Sequence, residues 1–453
     1  MKYLSTRGRA PVLDFADVLL AGLAADGGLY VPETWPALPS GWRDPRPYVD
    51  VAGDVLWPYV EGSTLPRPSL DELVAEAYET FDHPDVCPLV ELEPGVWVVE
   101  LFHGPTLAFK DVALQLVGRL FDRELQRRGE RRTIVVATSG DTGSAAIAAC
   151  VGRPTLDIVV LHPAGRVSDV QRRQMTTVDA PNVHHWAVEG TFDDCQDLVK
   201  ALFADAELRE QVGLSAMNSI NWARVAAQIV YYVAAAAACG PCEMAVPTGN
   251  FGNILAGWIA RRSGAPIEGL VIGSNSNDIL TRWAQTGSLV AEEVVATLSP
   301  SMDIQVSSNH ERLLFELLGR DGTATAELTG RFRALGSVEG PRDPVFAAAS
   351  LDDDATLAVI AGLQRRTGYL ADPHTAVGIG AAEACRRRPD LPMVCLATAH
   401  PAKFPDAVER ATGTRPALPD RLADLFERPE RYDILPADVA EVRRYVERAV
   451  GAH

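Results

Sequence analysis

From Val96 onward, short apolar runs rich in β-branched residues recur along the chain, each parted from the next by a longer stretch with helical spacing. Runs without polar alternation belong to strands covered on both faces, and helices between them make consecutive strands parallel. Strands are expected at Val96–Leu101, Thr133–Ala137, Asp157–Leu161, Val183–Val188, Glu243–Val246, Gly269–Ile272 and Met393–Ala397. The clearest helix is 111–129. Its apolar residues Val112, Leu116, Val117, Leu120 and Leu125 share a face, Asp111 opens it, and Arg127, Arg128 and Gly129 close it. The first ninety-odd residues lack this rhythm and carry Pro32, Pro36, Pro39, Pro45, Pro47, Pro66 and Pro68. The expected organisation is therefore an N-terminal unit (1–92), a smaller α/β domain (93–230) and a larger α/β domain (231–453).

Charge narrows the function. Forty-two basic residues face sixty acidic ones, a net −18, so phosphate backbones and anionic lipid are repelled. No nucleic-acid or membrane partner is expected; a small anionic substrate is compatible, because a local site can oppose the global sign. The most apolar stretch, Val225 to Cys239, includes Gln228 and falls short of the ~20 residues that cross a bilayer. Met1–Ala10 has no apolar signal segment. Seven scattered cysteines suit a reducing compartment, and a cytoplasmic protein, monomer or homodimer, is the expectation. No Cys/His grouping has metal-ligand spacing. Cys239-Gly-Pro-Cys242 spells a redox tetrapeptide, but a redox pair follows a strand and opens a helix. Here an alanine-rich helix precedes it and a strand follows, which reads as a connecting loop.

Three features carry chemistry. Of the 42 basic residues only Lys2, Lys110, Lys200 and Lys403 are lysine. A chain that uses arginine wherever a bare charge will do keeps lysine for covalent or proton-transfer work. Lys110 stands at a helix start in the apolar setting Leu101–Asp111, where desolvation and the helix dipole favour the neutral amine. The alternative is a lysine that merely snorkels from a helix end. The second feature is Thr138-Ser139-Gly140-Asp141-Thr142-Gly143, a strand-to-helix turn whose N–H groups and hydroxyls suit a carboxylate or phosphate; as a lone motif it is equally an ordinary helix cap. The third is Thr248-Gly249-Asn250-Phe251-Gly252-Asn253, again between strand and helix, with two glycines that let backbone wrap an anion and no cation of its own. Two anion loops and one isolated lysine form the set that pyridoxal-phosphate chemistry requires.

These residues also carry a family resemblance. LFHGPTLAFKD (101–111), TSGDTG (138–143), PTGNFGN (247–253) and TAHPAKF (398–404), with FDDCQDLVKALF (192–203), NSINWARVAAQ (218–228) and FADVLLAGLAADGGLYVPE (15–33), resemble the threonine synthases, and most closely their bacterial branch. The resemblance is collinear over nearly the whole chain. It implies two parallel-sheet α/β domains of the fold-type II (tryptophan synthase β-like) pyridoxal-phosphate architecture plus the N-terminal unit. It also implies conversion of O-phosphohomoserine and water to threonine and phosphate.

By this resemblance Lys110 carries pyridoxal 5'-phosphate, Gly249, Asn250, Phe251, Gly252 and Asn253 bind its phosphate, and Thr398 faces the pyridine nitrogen. Asp141 stands near the phenolic oxygen, where many relatives have asparagine. Ser139, Gly140 and Thr142 receive the substrate carboxylate. For the substrate phosphate, Arg166 and Ser168 of one loop and Asn218, Asn221 and Arg224 of another offer cations, a hydroxyl and amides; Arg166 reads equally as a solvated helix start. A paralogous lyase acting on O-phosphothreonine or O-phosphoserine, or a γ-replacement enzyme, would use the same parts with a different pocket lining.

Overall fold

The computed structural model describes residues 1–451. The chain forms two compact units, one of residues 1–113 and 219–416, the other of 114–218 and 417–453. This division does not follow chain order. The expected smaller domain of 93–230 gives only 114–218 to the second unit, which is completed by the C-terminal segment. Lys110 falls with the first unit, as does the loop 249–253.

The first unit is built on a six-stranded sheet. Its order is Phe346–Ser350, Ile267–Ser274, Cys242–Pro247, Met393–Ala397, Val96–Glu100 and Leu89–Glu93. All neighbours are parallel except the last pair, which is antiparallel. Central strands such as Cys242–Pro247 and Met393–Ala397 are buried along their whole length, as unbroken apolar runs require. Val98, Ala245, Val271, Val377, Met393 and Cys395 form part of the core on this sheet.

The N-terminal residues pack into the same unit. Tyr3–Ser5 pairs antiparallel with Tyr30–Pro32. The Trp222 indole donates to the Tyr3 hydroxyl at 3.0 Å, and that hydroxyl donates to the Tyr59 carbonyl at 2.7 Å. The apolar stretch expected as a core helix is the helix Trp222–Cys239, with 78% of it buried. Cys239 ends that helix and Cys242 opens a strand, so the tetrapeptide is the expected connection.

The second unit carries a five-stranded parallel sheet in the order Asp433–Pro436, Val183–Glu189, Leu156–Pro163, Arg132–Ala137 and Leu214–Ser215. Val159, Leu161, Trp186 and Val188 pack with Leu198 and Leu202 of the helix Phe192–Ala204. Leu435, Val442 and Val446 of the C-terminal segment complete that core. In both units the sheet is parallel where helices intervene, and strand C-terminal ends open into loops, where ligands of such sheets bind.

Candidate functional site

The loop after the strand Cys242–Pro247 is shaped to receive an anion. Phe251 takes the left-handed conformation at φ 64°, and the helix Gly252–Arg262 begins immediately after it. Among the described residues, no acceptor in the protein meets the backbone N–H groups of residues 249 to 254. Such N–H groups at the positive end of a helix are a ready anion site. Gly249 is obligatory for space: a Cβ there would lie 2.8 Å from the Ser301 carbonyl oxygen. The side-chain oxygen Oδ1 of Asn253 accepts from the Tyr231 and Tyr232 hydroxyls at 2.6 and 2.9 Å, while its buried Nδ2 has no partner. The cradle and that spare donor fit a phosphate monoester.

The loop is braced from behind. Ser307 Oγ donates to the Gly249 carbonyl at 2.7 Å, and the Asn309 N–H donates to the Asn250 carbonyl at 3.1 Å. Asn309 Nδ2 donates to the Ser219 carbonyl at 2.9 Å, and its Oδ1 accepts from Arg312. Arg312 is fully buried and also donates to the Tyr30 and Ile220 carbonyls, at 3.0 and 2.6 Å. Burial pushes its guanidinium down to about 9. The loop has no cation in sequence, but this arginine, from sixty residues on, stands behind it through Asn309. Nothing in the local sequence around His310–Leu317 signals it.

Lys110 opens the helix Lys110–Arg128 and is 8% exposed. Its position follows from the chain before it. Leu101 N–H donates to the Ala397 carbonyl, Phe109 N–H to the Thr398 carbonyl at 2.8 Å, and His400 N–H to the Leu107 carbonyl. Lys110 and Thr398 are thereby fixed side by side. The Thr398 N–H is held by Thr375 Oγ1 at 3.0 Å, and among the described residues no hydrogen bond engages the Thr398 hydroxyl. The residues between are folded round Asp111, whose carboxylate accepts from the Thr106 N–H and hydroxyl, both at 2.8 Å. Burial pushes the Asp111 carboxyl up, against the pull of Thr106 and of nearby Lys403. Gly104 leaves room for it, since a Cβ there would lie 2.3 Å from Asp111 Cβ. Lys403, fully buried, donates to the Thr106 carbonyl at 2.6 Å. Two of the four lysines are thus interior. Lys200 is exposed and paired with Asp197, as a solvated lysine should be.

Lys110 Nζ donates to Ser301 Oγ at 3.3 Å and lies 5.0 Å from the Phe109 ring centre. Ser301 sits in the short turn Pro300–Met302, whose carbonyl is the one packed against Gly249. The turn therefore adjoins both the lysine and the anion loop. The Ser301 N–H donates to His374 Nε2 at 3.2 Å, and His374 Nδ1 is 2.8 Å from Asp372 Oδ2.

In the second unit, the turn 138–143 is organised by a residue outside the expected binding set. Thr138 Oγ1 accepts from the N–H groups of both Gly140 and Gly143 at 2.9 Å. Gly140 has φ 139° and caps the helix Asp141–Cys150. Among the described residues the N–H groups of Ser139 and Thr142 have no acceptor within the protein, which suits a carboxylate. The Asp141 carboxylate accepts from Gln171 Nε2 at 2.9 Å. Ser168 caps the helix Asp169–Thr176, accepting from the Gln171 N–H and donating to Gln171 Oε1 at 3.0 Å. Gln171 ties these two positions together and carries no motif signature. Arg166 and Asn218 are exposed.

Two further expected contacts lie in the first unit. Asn221 is fully buried as the cap of Trp222–Cys239, accepting from the Ala223 N–H at 3.0 Å while its amide donates to the Leu19 carbonyl at 2.8 Å. The structure thus gives it a capping role, with one amide hydrogen spent on the fold. Arg224, one turn on, is 4% exposed, and burial pushes its guanidinium down to about 10. No cluster of three or more metal-ligating side chains occurs among the described residues.

Three family models match the sequence: threonine synthase N terminus over residues 2–78, pyridoxal-phosphate dependent enzyme over 83–398, and threonine synthase, C-terminal, over 375–446. The threonine synthase of Pseudomonas aeruginosa is 52% identical, with 98% of each chain covered. The crystal structure of pyridoxal-phosphate-bound threonine synthase from Brucella melitensis superposes with a TM-score of 0.96 at 49% identity, covering 100% of both chains. That of threonine synthase from yeast superposes at 0.94 with 36% identity, covering 100% of this chain and 99% of that one.

Proposed function

We propose a division of labour among these residues from one premise: the chain belongs to the threonine synthase family. It is accordingly a pyridoxal-phosphate-dependent carbon–oxygen lyase of threonine biosynthesis, with the fold-type II architecture. We take its substrates to be O-phospho-L-homoserine and water, its products L-threonine and phosphate, and its location the cytoplasm.

The residues that would hold the cofactor are Lys110 by a covalent bond, the N–H groups of Gly249 to Asn253 at its phosphate, and Thr398 at its pyridine nitrogen. Asp141 stands for its phenolic oxygen. Bound there, the cofactor supplies an electron sink that stabilises negative charge at neighbouring substrate carbons. A neutral hydroxyl at Thr398 leaves the pyridine nitrogen without a full proton, which tempers that sink. Once its amine is free, Lys110 is placed to take the substrate Cα proton, then a Cβ proton, and to return one at Cγ after phosphate has left. Water then adds its hydroxyl at Cβ, and a proton is returned to Cα.

The N–H groups of Ser139 and Thr142, with the turn at Gly140, receive the substrate carboxylate. Arg166, Ser168, Asn218 and Arg224 serve the phosphate that leaves, because charge grows there during elimination and cations oppose it. Asn221 contributes by capping the helix that carries Arg224.

One observation supports this reading most: a buried lysine amine adjoins, through the Pro300–Met302 turn, a helix N-terminus whose N–H groups have no acceptor in the protein. The test is incubation of the cofactor-loaded protein with O-phosphohomoserine, following phosphate and amino-acid product together. Phosphate with stoichiometric threonine is expected. Intact cofactor absorbance without phosphate release would instead favour a paralogue acting on another phosphorylated amino acid.

A further inference from the structure

A line of four residues, joined at one point through a backbone amide, runs from a buried carboxylate to the lysine: Asp372, His374, Ser301, Lys110. Asp372 is fully buried at the cap of the helix Pro373–Cys385, and His374 is 4% exposed. The Ser301 N–H donates to His374 Nε2, so that nitrogen carries no proton, and His374 Nδ1–H donates to Asp372 Oδ2. The imidazole is thus oriented by a carboxylate and accepts from a backbone amide. A buried Asp–His pair that serves only to pin a three-residue turn is an expensive device unless the turn's placement matters. What the turn presents is Ser301 Oγ, 3.3 Å from Lys110 Nζ.

We propose that Ser301 is a positioning residue for Lys110: its hydroxyl oxygen accepts an N–H of the lysine nitrogen and holds it toward the reacting carbons, and His374 with Asp372 fixes Ser301 in that place. The inference rests on the cofactor role given to Lys110 above. A hydrogen bond accepted from the protonated nitrogen favours that form over the deprotonated one. Ser301 therefore keeps the lysine's proton bound to higher pH than the site otherwise would. Charged groups near this line include Asp303, which bonds Asn275 and Thr297 and feels the pull of His374, and Asp111 and Lys403, which both bind Thr106. Substitution at Ser301 leaves these three side chains in place.

The test is a pH titration of the visible absorbance of the cofactor-loaded protein, wild type against Ser301→Ala, beside the pH profiles of kcat and KM. Loss of one such hydrogen bond lowers the absorbance midpoint by about one pH unit. It lowers kcat about tenfold and leaves KM near the wild-type value. Ser301→Thr, which keeps the oxygen, restores the midpoint. His374→Asn leaves Ser301 in place but removes its anchor, and shifts the midpoint the same way by a smaller amount; it carries the test if Ser301→Ala does not retain the cofactor. An unmoved midpoint in the variant that retains the cofactor, or a Ser301→Thr protein indistinguishable from Ser301→Ala, overturns the inference alone. A wild-type protein that acquires no visible absorbance with pyridoxal phosphate overturns this inference together with the reading on which it rests.

Discussion

Lysine is scarce in this chain, and the two buried examples do opposite things. Lys403 is fully buried, donates to the Thr106 carbonyl and lies near Asp111, so its charge supports the turn that delivers Lys110. Lys403→Met should cost about 3 kcal/mol, because it leaves the buried Asp111 without its cation, and thermal unfolding reads it. Lys110 instead donates to a serine hydroxyl and lies over a phenyl face. Lys110→Ala and Lys110→Arg should both lose turnover and visible cofactor absorbance, since neither side chain can form the covalent bond and release a proton. An arginine variant with measurable threonine formation would contradict the assignment. Cysteine gives the complementary case. Burial pushes the Cys239 and Cys242 thiols up to about 11 and 12, so neither is a thiolate at neutral pH. Cys242→Ala should keep the wild-type kcat, and reductant should not change the rate.

At the scale of elements, the loops matter through what packs against them. A Cβ on Gly249 would sit 2.8 Å from a backbone carbonyl, which cannot rotate away as a side chain could. Gly249→Ala should weaken cofactor binding at least tenfold in a fluorescence titration, with a stability loss of about 1–3 kcal/mol from the forced shift. Thr138→Val removes the acceptor shared by Gly140 and Gly143 while keeping the shape, so KM should rise at least severalfold with the cofactor still bound. The glycine loops were legible in sequence because a strand, a turn of small residues and a helix follow one another locally. So were the seven interior strands, whose apolar runs are buried along most of their length in all but Val96–Glu100. Phe346–Ser350 escaped notice because Phe-Ala-Ala-Ala-Ser has little strand propensity and owes its pairing to its neighbour Ile267–Ser274. Asp433–Pro436 ends in a proline and joins at an edge, where proline is tolerated. Ser301, Asn309, Arg312 and Gln171 lie in stretches with no periodic or motif signal; only tertiary packing brings them to the loops they brace. Asn221, a buried asparagine before an apolar helix, is also that helix's cap.

At the scale of the molecule, chain order and compact units disagree. Residues 417–453 return to the second unit, where Leu435 and Val442 are buried beside Trp186 and Val188. Their strand, Asp433–Pro436, pairs in parallel with Val183–Glu189 at the sheet edge. Without it, that edge would expose the unpaired backbone of Val183–Glu189, and Leu198 and Leu202 would lose part of their cover. Val442→Ala opens a cavity in this core and should destabilise the second unit by about 2 kcal/mol. The first unit's sheet shares none of these residues. Hydrogen exchange should therefore speed up at the amides of Leu156–Pro163 and Val183–Glu189, while Cys242–Pro247 and Met393–Ala397 keep wild-type protection. Because Lys110, the 249–253 loop and Thr398 all belong to the first unit, the cofactor should stay bound in a substitution that raises KM through the 138–143 loop, its absorbance shifting only where Asp141 is displaced. Parallel loss of protection in both sheets would mean the two units unfold as one, and the C-terminal segment would then matter to cofactor binding as much as to substrate binding.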